Sequence, residues 1–195
     1  MAEIERLIPF IIYFETGIRG DGLSGEQLFA RAARKGVASD PADRGGATMV
    51  GITIGTYREY RRRKGFANTE TSDLRRLTYA EWTDVLRSMF WNRWRADEIA
   101  HQGVAEMLVD WVWTSGNYGV TLPQRLLGVK ADGIVGPKTI AAVNAREPEQ
   151  LLAELKNERI AYIERICRTR PANLKFRNGW LRRICLLYTS PSPRD

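Results

Sequence analysis

The chain has 195 residues, 44% of them hydrophobic and 27% charged, which suits one globular domain, or one plus a small appendage, and excludes global disorder. One histidine, His101, and two cysteines, Cys167 and Cys185, are too few for a structural zinc or a disulfide scaffold. Thirty basic against 23 acidic residues leave a net charge of +7, which favours a polyanion such as nucleic acid, anionic lipid or bacterial cell wall, unless the excess is merely solvated surface.

Ile4 to Phe14 carries an apolar stripe of helical period that Pro9 either kinks or delays, and Gly17 suits its C-terminal cap. The segment is neither basic at its start nor followed by a small-residue cleavage site, so it does not read as a signal peptide. Synthesis in the cytoplasm, and export by another route, is the expectation. Ser24 and Gln27 form a capping box that opens a second helix ending at Gly36. Residues 39–46 are dense in turn formers, Thr48 to Ile54 reads as the one strand region, and Tyr57 to Lys64 is short and basic. Thr78 and Glu81 cap the next helix, and Val104 to Trp113 reads as a buried one interrupted by Glu106 and Asp110. Further helices are predicted at Leu122–Leu127, Pro137–Asn144, Glu147–Arg168 and Asn173–Ile184, about eight in all. The class is mainly α. No run reaches the ~18 apolar residues of a membrane span. Residues 186–195 carry two prolines, two serines and no helical period, and are set apart as a non-native tail.

Three groups of residues could carry chemistry. Glu15 follows Phe10, Tyr13 and Phe14, where partial desolvation would make a carboxyl a usable general acid, with Asp40 or Asp43 across a cleft. The plain alternative is a helix-end glutamate and two turn aspartates. Cys167 or Cys185 with His101 could form a nucleophile and base, although Cys167 lies mid-helix rather than at a helix N-terminus. Arg61-Arg62-Arg63-Lys64 and Trp91-Asn92-Arg93-Trp94-Arg95 mix cations and aromatics as a nucleic-acid surface does, but no nucleic-acid motif accompanies them.

Glu15-Thr16-Gly17, then Asp43-Arg44-Gly45-Gly46-Ala47-Thr48-Met49-Val50-Gly51-Ile52-Thr53, resembles the E-G-G and D-x-G-G-A-T-x-x-G-[IV]-T marks of glycoside hydrolase family 108. Asp132-Gly133-Ile134-Val135-Gly136-Pro137-Lys138-Thr139 is similar to the D-G-x-x-G-P-x-T signature of the family's peptidoglycan-binding-like region. Phe176, Gly179, Trp180 and Arg182–Arg183 match its F-x-x-G-W-x-x-R close. The departures are Thr16 for a glycine, Met49 for the usual asparagine, and a long spacer from Glu15 to Asp43.

The resemblance implies a mainly α, lysozyme-like fold with at most a small hairpin. It implies a catalytic lobe at 1–100 and a helical peptidoglycan-binding-like region at 101–185. The implied activity is that of an N-acetylmuramidase, as in phage endolysins and phage-derived secretion activators, with Glu15 as general acid. Asp43 is then the second polar or carboxylate group and Thr48 positions water. Asp40, Gly45, Gly46, Trp91 and Lys138 contact the substrate. Two carboxyls suffice for glycoside hydrolysis, so no metal or cofactor is required. The expected partner is the peptidoglycan glycan strand, reached after release by a holin-like partner, with no nucleic acid and no stable membrane insertion. The alternative is a catalytically weak wall-binding or secretion-assisting protein that keeps the fold.

Overall fold

The computed structural model describes residues 1–20, 22–38 and 46–188. Two compact units divide the chain, one of Glu5–Met89 and one of Met1–Ile4 with Phe90–Asp195.

A 3₁₀ turn, Ile4–Arg6, precedes α1 (Ile8–Thr16), the opening helix of the first unit. Pro9 sits in the first turn, where a missing N–H loses no intrahelical bond, so the helix starts late rather than kinking. Ile8, Ile11 and Ile12 are its buried face, and Gly17 closes it in the left-handed region (φ 72°), donating to Tyr13 O at 2.7 Å. Helix α2 (Gly25–Ala33) has the predicted capping box. Gln27 N–H donates to Ser24 Oγ at 3.2 Å, and Ser24 N–H donates to Gln27 Oε1 at 2.9 Å. Leu28, Phe29 and Ala32 pack inward.

The stretch read as one strand is a hairpin. β1 (Thr48–Met49) pairs antiparallel with β2 (Ile52–Thr53), Thr48 opposite Thr53 and Met49 opposite Ile52. Val50 (φ 46°) and Gly51 (φ 78°) make the two-residue turn, both left-handed, the pattern whose twist matches a hairpin. A β-branched residue there costs about 1–3 kcal/mol. Trp82, fully buried, donates its indole N–H to Val50 O at 2.9 Å and helps to hold that conformation.

Thr53 caps α3 (Ile54–Arg63), a helix the basic sequence concealed. A short α4 (Thr71–Leu74) and the predicted α5 (Tyr79–Leu86) follow. Tyr57 donates to Glu81 at 3.1 Å and Tyr60 to Asp84 at 2.8 Å, tying α3 to α5. Phe29 meets Trp82 at a ring-centroid distance of 6.1 Å, which packs α2 on α5.

The second unit is built on α6 (Gln102–Ser115), in which every residue from Val104 to Val112 is buried. A helix covered all round is a central helix, as its sequence predicted. α7 (Tyr118–Leu126) starts four residues before the predicted Leu122 and contains Pro123. Its Gly119 lies so close to α6 that a Cβ would come within 2.4 Å of Val112 N, so only glycine permits the crossing. α8 (Pro137–Asn144), α9 (Pro148–Thr169) and α10 (Leu174–Tyr188) complete the unit. The N-terminal residues join it too, with Glu3 N–H donating to Gln102 Oε1 at 2.7 Å.

Helix α10 corrects one expectation. Residues 186–188 continue the helix because Leu187 falls on the buried stripe of Arg183 and Ile184. Residues 189–195 of the supposed tail lie outside the described residues. The described residues are mainly α and lysozyme-like with one small hairpin, the class expected from the sequence.

Candidate active site

Glu15 stands half-buried on the last turn of α1. Just before it in the helix, Phe14 meets Phe10 at 4.7 Å and Tyr13 at 5.0 Å between ring centroids. Arg19 donates to the Tyr13 hydroxyl at 2.5 Å and lies over its ring, 4.3 Å from the centroid. A cation thus rests on the aromatic face of Tyr13, two residues before the candidate acid.

The connection after α2 links this helix end to the hairpin. Lys35 Nζ donates to Thr16 O at 2.5 Å, and three residues on Ala38 exchanges two 2.8 Å backbone bonds with Thr48. Three residues span at most about 10 Å of backbone. One short connection therefore joins the carboxyl end of α1, beside Glu15, to β1. Thr48 is half-buried and its hydroxyl donates to Gly46 O at 3.3 Å. Gly46 is left-handed (φ 66°), with room for a Cβ only at 3.4 Å from Ile54. Asp40, Asp43 and Gly45 lie outside the described residues, while the Ala38–Thr48 pair brings the flanks of their segment together.

Thr16, which replaces a family glycine, is helical and needs no glycine. Its hydroxyl donates to Ile12 O at 2.6 Å and accepts from Ile18 N–H at 3.2 Å. The left-handed position is Gly17, which is retained. Thr16 therefore leaves the backbone beside the acid in an ordinary helical conformation.

Trp91 is a correction. It is fully buried and its indole N–H donates to Asp97 at 2.8 Å, so it is a core residue with no face for a sugar. Trp82, Trp94 and Trp111 are likewise core, whereas Trp113 and Trp180 are half-buried. Lys138 is exposed, one residue into α8. Before it, Asp132 accepts from Ile134 N–H at 2.9 Å and Gly133 is left-handed (φ 77°), the turn its sequence predicted.

The other two groups of residues dissolve. His101 caps α6, its Nδ1 accepting from Val104 N–H at 3.3 Å, and Cys167 is buried on α9. The basic run of α3 is matched by carboxylates: Arg61 with Asp73, Arg62 and Arg63 with Glu59, Lys64 with Asp84. The two guanidinium groups hold the Glu59 carboxyl down at about 2. Sequence reading missed a cluster in the second unit, Asp110 with Arg159 and Arg183. Its signals were Asp110 in a largely apolar helix and Arg183 in the closing motif, with nothing local to pair them.

Residues 32–116 match the family model of glycosyl hydrolase 108, and residues 118–185 match that of a predicted peptidoglycan domain. The chain thus carries a glycosyl hydrolase family 108 region followed by a peptidoglycan domain. The family match takes in the hairpin and Thr48, while Glu15 precedes it. The chain is also similar to the solved structure of SagA from Brucella abortus, at 29% identity and a TM-score of 0.68, over 84% of this chain and 92% of that one. No curated protein matches it. With the peptidoglycan domain behind the hydrolase region, it is a glycosyl hydrolase that acts on peptidoglycan.

Proposed function

We propose that the protein is an N-acetylmuramidase, cleaving the β-1,4 bond from N-acetylmuramic acid to N-acetylglucosamine with Glu15 as general acid. The observation that supports this most is the short connection 35–38, bonded to α1 beside Glu15 at one end and to Thr48 at the other. Protonating the leaving oxygen needs a carboxylic acid, and stabilising or attacking the oxocarbenium-like carbon needs a second polar group. In this reading Thr48 positions water, and Asp43, with Asp40 near it, supplies the second carboxylate where Gly45 and Gly46 let a sugar approach the backbone. Residues 1–100 form the catalytic lobe and 101–185 the wall-binding region. The protein is made in the cytoplasm and reaches the wall through a holin-like partner, as an endolysin or secretion activator of prophage origin would. The helical backbone of Thr16, which stands where the family has a glycine, supports this reading over that of a catalytically weak wall-binding relative.

The bond cut is read from the new reducing ends. Purified sacculi are digested, reduced with borohydride and hydrolysed, and the sugar alcohol is identified. Muramitol is expected; glucosaminitol in its place excludes the muramidase. For the second group, Asp43→Asn is expected to cut the rate strongly with little change in Tm. A Tm loss matching about 0.5–2 kcal/mol with the rate retained would make Asp43 a turn residue only. Asp40→Asn, measured beside it, shows which aspartate serves.

Lys138 is proposed to face the wall. Lys138→Glu is expected to weaken retention on sacculi at low salt, and the difference should vanish at high salt, where exposed charges are screened. Equal retention of both proteins at low salt leaves Lys138 as a helix-start residue alone.

A further inference from the structure

In the second unit a small cavity lies beside a buried ion cluster. Asp110 of α6 is 0% exposed and accepts from Arg159 Nη2 at 2.6 Å and from Arg183 Nε and Nη2 at 2.9 and 2.6 Å. Arg159 and Arg183 are themselves 3% and 6% exposed. Arg159 Nη2 also donates to Thr114 Oγ1 at 3.0 Å, whereas its Nη1 meets only the thioether of Met107 at 3.6 Å, a weak acceptor. Both guanidinium groups line a cavity of about 70 Å³, with Thr114, Ser115, Tyr162 and Trp180 among its other walls. None of the described residues lining it is a carboxylate. Trp111, 6.4 Å from Tyr162 between ring centroids, has a buried indole N–H with no acceptor among the described residues. The neighbourhood is rich in donors and poor in acceptors.

We propose that this cavity binds a carboxylate carried by the peptide stems of peptidoglycan, a proposal that rests on the chain acting on the wall. A guanidinium is a planar fork that matches a carboxylate in geometry, and in a water-poor site the attraction is stronger than at the surface. The volume sets the size of the guest. It exceeds several-fold the roughly 10–15 Å³ that holds one water, yet falls well below the roughly 300 Å³ of a pocket that encloses a drug-sized ligand. A terminal carboxylate with a short aliphatic stem fits; a saccharide ring does not. Tyr162 and Trp180 supply apolar surface for that stem. Stability alone is a weak reason for such a cluster, since apolar replacements of buried ion pairs are often neutral or better.

The test uses the intact protein and calorimetric titration with three probes: the tetrapeptide L-Ala–γ-D-Glu–L-Lys–D-Ala with its carboxylates ionised, the same peptide fully amidated, and inorganic phosphate. The acid form is expected to bind at least tenfold more tightly than the amidated form and than phosphate. Ser115→Leu fills the cavity without touching the ion cluster, and is expected to lose at least tenfold in affinity at an unchanged circular dichroism spectrum. Should that variant not fold, Ile166→Phe fills the same space from α9. Equal binding of the amidated peptide, equal binding of phosphate, or full affinity in a folded cavity-filled variant overturns the proposal. Cleavage of glycan strands stripped of peptide by an amidase is followed separately. Its loss in the wild type would count against the muramidase while peptide binding still supported this site.

Discussion

Glu15→Gln is expected to lower the rate of lysis of purified, permeabilised cell walls by about 10²–10⁴-fold, the usual contribution of a positioned general acid. The amide is nearly isosteric but has no acidic proton to give the leaving oxygen. Glu15 lies on the last turn of a helix whose buried face is Ile8, Ile11 and Ile12, so the change should leave folding and retention on sacculi intact. Loss of turbidity, measured beside thermal unfolding of the same preparations, checks both halves. Lysis at the wild-type rate would reduce Glu15 to a structural residue and remove the foundation of the muramidase reading.

Asp110→Ala is expected to have the largest effect on stability, about 3–5 kcal/mol, because it leaves two buried guanidinium groups without their shared carboxylate. For a chain of this size that is a fall in Tm of roughly 6–20 °C. Removing all three charges, as Asp110→Leu with Arg159→Met and Arg183→Leu, should cost less than the single change. That ordering separates a buried-charge penalty from simple loss of packing. A single variant as stable as the wild type would contradict it. Burial acts most strongly on the Asp110 carboxyl and pushes it up, but the two arginines together more than offset burial, and it is held below its usual value. The native state therefore binds this proton less readily than the unfolded chain does. The cluster's contribution is complete above the unfolded value near 3.9 and is lost as pH falls from there toward the native one. Acid unfolding of the wild type should be steeper below about pH 4 than that of the triple variant.

Much of this was legible in the sequence because the signals were local. Ser24 with Gln27, Thr78 with Glu81, Pro137 and Gly17 each act within one turn, and each marks a helix boundary in the structure. Glu15 stands out in the sequence for a similarly local reason, two residues before the capping Gly17. What depended on partners distant in the chain was not. Trp91 reads as a substrate contact beside Arg93 and Arg95, yet its indole N–H is taken up by Asp97 and its ring is buried in the core. α3 was hidden by a run of cations that are neutralised by Glu59, Asp73 and Asp84. The small hairpin was expected, but its turn was not legible, because Val50 is a poor residue for a left-handed position and the indole N–H that helps to hold it comes from 32 residues away.

The first residues of the chain are completed last. Ala2 and Ile4 are 5% and 3% exposed, Ala2 N–H donates to Ile99 O at 3.2 Å, and Glu3 exchanges hydrogen bonds with Gln102 across 99 residues. During synthesis at about 5–20 residues per second, that partner emerges about 5–20 s after Glu3 does. The whole of Glu5–Met89 is therefore made while its leading segment waits for a helix not yet translated. Nascent chains stalled before residue 102 should show Met1–Ile4 open to protease, and chains stalled well beyond it should show them protected.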